Sequence, residues 1–480
     1  MPEDGKTIFK NAIVLTIADF FCLIMSFVLM IFVGRKLGPE LLGVYAFGNA
    51  IINIFIILCT FGLEPYIQRE VSRSPEISGY LMAQIFVFKL LLYAVAVIII
   101  GIFSIVAIDD ELKRTVLWLL TGTMFFKINF MALCSFFLAH QKAIYEAAVG
   151  ITLRLVYTSS GIIAMLTGKG LLTLVSLELI ASVISFFIAW GLFITKIDTP
   201  FHRIRLSTIV KLIKNTWEFM VLQLVQRLFL RVDMLMLSMM TSDIATGFYS
   251  VTVRLTAAFA FIPSSLTGAF FPSLSRSAMV NTDEFVKLFK PYLRFLLLIG
   301  SGICAVLAGL SSEFIVLIFG EAFYPAGPTL ALLAAVLVLD YASWPFSMSI
   351  IALDRERQSI MIFFFSAMSN IIANIIMIPL WQEQGAAIST IISFVVLILL
   401  QCRAIGYDMI KRFALFQLSF GPIMTGCLTW CTILICNSYH LGLILILTIA
   451  TFSYALFAIL TKSVKAEDMV MLKQFLTKKQ

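Results

Sequence analysis

Residues 215–240 read NTWEFMVLQLVQRLFLRVDMLMLSMM. The run is long enough for one helix to cross a hydrocarbon core, which takes about 20 apolar residues for about 30 Å. Arg227, Arg231 and Asp233 nevertheless sit inside it. A charge near the centre of a span costs about 2.5–3.5 kcal/mol or more and is found facing a cavity or a counter-ion rather than lipid. The stretch therefore implies two things at once: a membrane-embedded helical protein, and a polar interior inside it.

The rest of the chain agrees with the first implication. Of 480 residues, 61% are hydrophobic and only 13% are charged, with a mean hydropathy of +1.01. A soluble core of this size would need far more polar surface to cover it, so a soluble globular class is excluded. Fourteen apolar segments are expected as spans, near 11–33, 43–62, 80–107, 115–139, 147–167, 171–195, 216–240, 247–271, 291–318, 326–351, 359–380, 384–407, 415–437 and 441–461. The first is too long for a cleavable signal sequence and is read as a retained helix.

The net charge of +8 is a topology signal rather than a nucleic-acid footprint. With the N-terminus inside, only Arg35, Lys36, Lys113, Arg114 and Lys169 fall in outer loops. Six basic residues lie within spans, and the remaining 24 of 35 lie on the inner side, counting Arg294 and Arg403 at inner span ends. That bias puts both termini in the cytoplasm and the chain in the cytoplasmic membrane. The eight cysteines form no CxxC pair, and His140, His202 and His440 lie in separate loops. No metal site, cofactor or catalytic cluster is expected from them.

The chain repeats itself. Lys10-Asn11 recurs as Lys214-Asn215 and GVYA at 43–46 as GFYS at 247–250, both at an offset of 204. SRS at 72–74 recurs at 275–277, an offset of 203. Three matches in order argue for two homologous six-span halves. Six is even, so the halves enter the membrane in the same sense, as a parallel repeat with the substrate path between them. The expected division is residues 1–200, an N-terminal lobe; 201–410, a C-terminal lobe opened by an amphipathic linker at 203–216; and 411–480, two additional helices and a cytoplasmic tail at 465–480.

The charges inside the spans are the candidate site. Lys89 and Arg154 lie about 10–13 Å in and are within reach of the interface by snorkelling. Arg227 and Arg231 are four apart and share a helix face, which Gln223 extends by another turn. Arg254, in the next span, sits at nearly the depth of Arg231. With Lys127 in the fourth span, these residues are expected to form a basic patch at mid-depth. Arginine presents a planar fork that suits a phosphate oxygen pair, so the expected ligand is a pyrophosphate-linked lipid. In the first half, Asn49 and Asn53 share a face and are expected to line the cavity, where they could bind sugar hydroxyls. Asp19, at the repeat position of Gln223, is the candidate for coupling to H+ or Na+.

FVGRKLGPELLGVYAFGNAI (residues 32–51), ALDRERQSI (352–360) and SNIIANIIMIPLWQEQGAAISTIISF (369–394) resemble the first loop and second helix, an inner loop, and the asparagine-rich helix pair of polysaccharide-biosynthesis flippases. These belong to the multidrug/oligosaccharidyl-lipid/polysaccharide exporter superfamily. The resemblance covers essentially the whole chain. It implies two six-helix lobes, a central cavity lined by the first, second, seventh and eighth spans, and export of a lipid-linked oligosaccharide for O-antigen or exopolysaccharide assembly, commonly driven by an ion gradient and alongside other polysaccharide-assembly membrane proteins. A multidrug/cation antiporter of the same superfamily is the alternative. A membrane polymerase or ligase is disfavoured, because no outer loop is large enough to hold its catalytic cluster.

Overall fold

The computed structural model describes residues 2–197, 206–280 and 282–464, with side chains from residue 14 onward apart from residues 206–208, 269, 279, 280 and 356. The opening of the expected linker (203–205) and the tail (465–480) lie outside the described residues. The described residues hold helices and turns and no strand. Eleven stretches among them are long and apolar enough to cross a membrane. Two of these, residues 14–73 and 357–405, each contain a break, at Gly38 and at Trp381–Gln382. Each of the fourteen expected spans falls on helix.

The chain divides into two compact units, residues 1–231 and 232–480, with the change falling inside one helix between Arg231 and Val232. The first unit comprises α1 (Pro2–Thr60), α2 (Leu63–Arg73), α3 (Ser78–Ala107), α4 (Glu111–Ala139), α5 (Ala143–Leu166), α6 (Leu171–Lys196) and most of α7 (Leu206–Met240). The second holds the end of α7, α8 (Asp243–Ala257), α9 (Phe261–Val280), α10 (Thr282–Gly309), α11 (Ser311–Phe319), α12 (Gly327–Ala352), α13 (Glu356–Ile405), α14 (Tyr407–Phe413), α15 (Leu415–Ser438) and α16 (Leu443–Leu460).

The duplication is visible in the elements. α3 begins at 78 and α10 at 282, an offset of 204, and Gly38 breaks α1 where Ser242, 204 residues on, separates α7 from α8. Three spans carry interruptions. The second ends at Phe61–Gly62 and continues as α2; the eighth breaks at 258–260 and continues as α9; the ninth breaks at Leu310 before α11.

Apolar side chains cover the outer faces as well as the core. Ile98, Ile99, Ile102, Ile105 and Val106 on α3 are exposed, while Lys89 of the same helix is fully buried. Apolar side chains on the outside suit lipid, and polar groups are turned inward where other helices satisfy them. The core of the first unit gathers Ile67 and Val71 of α2, Ile85 and Phe88 of α3, Phe136 of α4, and Phe193 of α6. In the second unit, Tyr292, Leu296 and Tyr341 pack together, and the two additional helices attach through α10. There the Tyr454 hydroxyl donates to the Leu298 carbonyl.

Candidate functional site

A cavity of about 580 Å³ within the first unit collects part of the expected site. Asn53 and Thr60 come from α1, Glu64 and Gln68 from α2, and Gln223, Gln226 and Arg227 from α7. The local cause is the bend after α1. Gly62 has φ +66°, in the left-handed region, and a Cβ there would lie 2.7 Å from Phe219 Cβ and 2.9 Å from the Met220 backbone nitrogen. Only a residue without a side chain lets the bend rest directly on α7. The result sets the polar face of α2 into the same cavity as the Gln223–Arg227 face of α7. The apolar face of α2 (Leu63, Ile67, Val71) is buried behind it.

Arg227 is exposed, and among the described residues it has no hydrogen-bond acceptor and no ion-pair partner. Arg231, one turn further along the same face, is half-buried and likewise has no ion-pair partner among the described residues. Two guanidinium groups four residues apart repel one another, and an anion set between them would relieve that repulsion. Asn53 donates from its amide to the Asn49 carbonyl at 2.7 Å, and Asn49 to the Tyr45 carbonyl at 3.0 Å. Asn53 reaches the cavity, whereas Asn49 lies one turn back.

Lys127 and Asp19 are placed elsewhere in the first unit. Lys127 Nζ is 2.6 Å from Glu178 Oε1, and the Tyr45 hydroxyl donates to Glu178 Oε2 at 2.9 Å. The Lys127 charge is thus balanced inside the α1–α4–α6 bundle rather than added to the Arg227 face. Arg254 lies on α8 in the second unit. Asp19 is exposed on α1, with no hydrogen bond or ion pair among the described residues. Lys89 differs from its snorkelling expectation: its side chain is wholly buried, and its Nζ donates to Glu64 Oε1 at 2.9 Å and to the Ile128 carbonyl at 2.8 Å. The reason is distance to an acceptor. Glu64 offers one within the bundle, and the interface would require leaving it.

In the second unit Asp233 is buried and accepts from the Tyr249 hydroxyl, with Thr390 Oγ1 at 3.4 Å. On the hairpin of α13, the Asn374 amide donates to Asn370 Oδ1 at 2.7 Å, and Asn370 donates to Ser393 at 3.2 Å. Asp233 therefore serves neighbours other than the two arginines of its own helix.

Sequence reasoning missed Glu64, Gln68 and Gln226. The first two follow a span read as ending at residue 62, so α2 passed for loop. The available signal was the i, i+4, i+8 apolar spacing of Leu63, Ile67 and Val71.

With the geometry in hand, comparison with known proteins supplies the relatives. Residues 8–278 match the family described as "Polysaccharide biosynthesis protein", more than half the chain. A probable low-salt glycan biosynthesis flippase of Haloferax volcanii, Agl15, is 22% identical over 426 residues, spanning 88% of this chain and 87% of the relative. The solved structure of the lipid II flippase MurJ, in an inward closed conformation, superposes with a TM-score of 0.70 at 17% identity, covering 94% of this chain and 99% of that one. An inward-facing multidrug resistance MATE family transporter of the MOP superfamily gives 0.66 at 15% identity, covering 85% and 99%. At these identities the two structures establish the fold.

Proposed function

The chain belongs to the polysaccharide biosynthesis protein family, and on that premise we propose that it is a flippase. It moves a lipid pyrophosphate-linked oligosaccharide across the cytoplasmic membrane by alternating access, with both termini in the cytoplasm. The observation that carries this reading is Arg227: a guanidinium in the middle of a span, open to a polar cavity, without a counter-ion among the described residues. An uncompensated charge at that depth is costly unless a ligand completes it, and the planar fork matches a diphosphate. The amides of Asn53 and Gln223 supply donors and acceptors for sugar hydroxyls beside it. Agl15, a relative named as a probable glycan biosynthesis flippase, supports the flippase reading.

The antiporter alternative needs a cavity that attracts cations. Here Glu64, the one carboxylate lining it among the described residues, is paired with Lys89, which leaves the unpaired charge of the cavity positive at Arg227. Transport is driven by an ion gradient, with Asp19 as the coupling group. O-antigen, exopolysaccharide and related surface glycans are the pathways this chemistry serves, together with the membrane proteins that assemble them.

The test is reconstitution into liposomes with a fluorescent lipid diphosphate-linked oligosaccharide, scored by leaflet accessibility. We expect Arg227→Ala and Arg231→Ala each to slow movement at least tenfold, a loss of about 1.4 kcal/mol, while folding is retained. We expect Asp19→Asn to remove the response to an imposed H+ or Na+ gradient. Native rates in both arginine variants would sink the anion-cavity reading, and an unchanged gradient response in Asp19→Asn would remove that residue from coupling.

A further inference from the structure

We infer that Glu64 is a saccharide-selecting residue of this cavity, positioned by Lys89, and that it favours a head group whose sugar next to the diphosphate is uncharged. The inference rests on the flippase reading above and adds the substrate's saccharide chemistry to it.

Lys89 is wholly buried in α3. Its ammonium has three donors and no acceptor, and one goes to the Ile128 carbonyl of α4 and one to Glu64 Oε1 of α2. A buried ammonium is tolerable only when paired and hydrogen-bonded, so the pair ties the α2 carboxylate to the α3–α4 bundle. Only one carboxylate oxygen is used in this way. Glu64 Oε2 accepts no hydrogen bond from any described residue, and Glu64 lines the cavity with its side chain 16% exposed.

A structural ion pair could have been buried completely. This one instead holds a single acceptor-only oxygen at the wall of the cavity that also holds Arg227. Sugar hydroxyls are donors that such an oxygen accepts well, with a charge-assisted bond roughly twice as strong as a neutral one. Gln68 and Gln223 in the same cavity can give or accept and so fit either end of a diol. A sugar carboxylate in place of a hydroxymethyl group would meet Glu64 Oε2 with like charge at contact distance and bring it no donor, while the positive charge of Arg227 is taken up by the diphosphate. Arg227 selects for the anion of the diphosphate; Glu64 selects against a second anion on the adjoining sugar.

The experiment uses the full chain in proteoliposomes with two synthetic lipid diphosphate disaccharides, identical except that the first sugar carries a hydroxymethyl group in one and a carboxylate in the other. Binding of short-chain, water-soluble versions of both to the detergent-solubilised protein is measured by calorimetry. We expect the neutral lipid to cross at least ~10-fold faster and its analogue to bind ~10-fold tighter, equivalent to about 1.4 kcal/mol. In Glu64→Gln, which keeps an acceptor for Lys89, the ratio should fall to about 2 or less on the same scale. Glu64→Gln combined with Lys89→Met removes both charges and should give the same narrowing if the single variant fails to fold. Equal handling of the two lipids by the native chain, or an unchanged ratio in a folded variant, overturns the inference while leaving the flippase reading in place. If neither lipid crosses and neither analogue binds, the flippase reading itself fails and this inference falls with it.

Discussion

Two lysines within the membrane-spanning helices show how a charge is accommodated residue by residue. Lys89 is enclosed and held by Glu64 and a carbonyl, whereas Lys127 remains partly open and meets Glu178. Position in the sequence separated them by depth, Lys89 within reach of the interface and Lys127 at mid-depth, but not by partner, because that depends on which carboxylate another helix brings. Outside the spans, His140 offers a residue-scale test. The Ser78 hydroxyl donates to the Pro75 carbonyl at 2.6 Å, so at 2.8 Å it accepts from His140 Nε2. Burial, and then Lys142 beside it, hold the imidazole below its usual range. A base with a lowered folded-state pKa takes up fewer protons folded than unfolded once the pH falls below about 6.5, so stability decreases as the pH falls through that region. We expect His140→Gln to lose less thermal stability in detergent between pH ~7.5 and ~5.5 than the native protein does. Equal losses would remove His140 from the acid response.

At the scale of elements, the bends decide where polar faces go. Gly38 has φ +75° and ψ 179°, a region essentially restricted to glycine, and open space where a Cβ would be. Pro39 then starts the second half of α1 with its φ already set. Gly62 adds close contact with the α7 backbone to a left-handed φ. We expect Gly38→Ala to cost about 1–3 kcal/mol through torsion alone. Gly62→Ala should cost more, since α7 would also have to move, and it should disturb the cavity as well. Chemical unfolding of both variants checks the order; a milder Gly62 effect would mean that α7 yields easily. The GP pair at 38–39 was legible as a break between spans. The Gly62 bend was not, because a Phe-Gly step at a span end looks the same whether the chain turns into solvent or against another helix.

At the scale of the whole molecule, duplication organises the polar interior as well as the helices. Tyr45 and Tyr249 stand 204 apart, and each donates to a buried carboxylate of its own unit, Glu178 in the first and Asp233 in the second. The repeated tyrosine is kept while the acid comes from α6 in one unit and α7 in the other. The basic bias of the loops belongs to this scale too. In a cysteine-free background, single cysteines replacing Asp110 or Gly168 should react with an impermeant maleimide in intact cells, and those replacing Gln141 or Asp354 only after permeabilisation. The reverse pattern would invert the topology.

The sequence by itself determined that the chain is a helical membrane protein of about fourteen spans, that it is duplicated, and that arginines lie at mid-depth in its seventh span. Those properties are carried by local hydropathy and by periodicity along the chain, which need no knowledge of neighbours. Only the tertiary structure decided which charges are satisfied. Lys127 and Lys89 each found a carboxylate on another helix, Arg227 opened into a cavity with none of its own, and Glu64 entered that cavity on a helix the hydropathy pattern had passed over. Pairing in a low-dielectric interior turns on contacts of 2.9 and 2.6 Å between residues 25 and 51 apart in sequence, and such distances are set by packing alone.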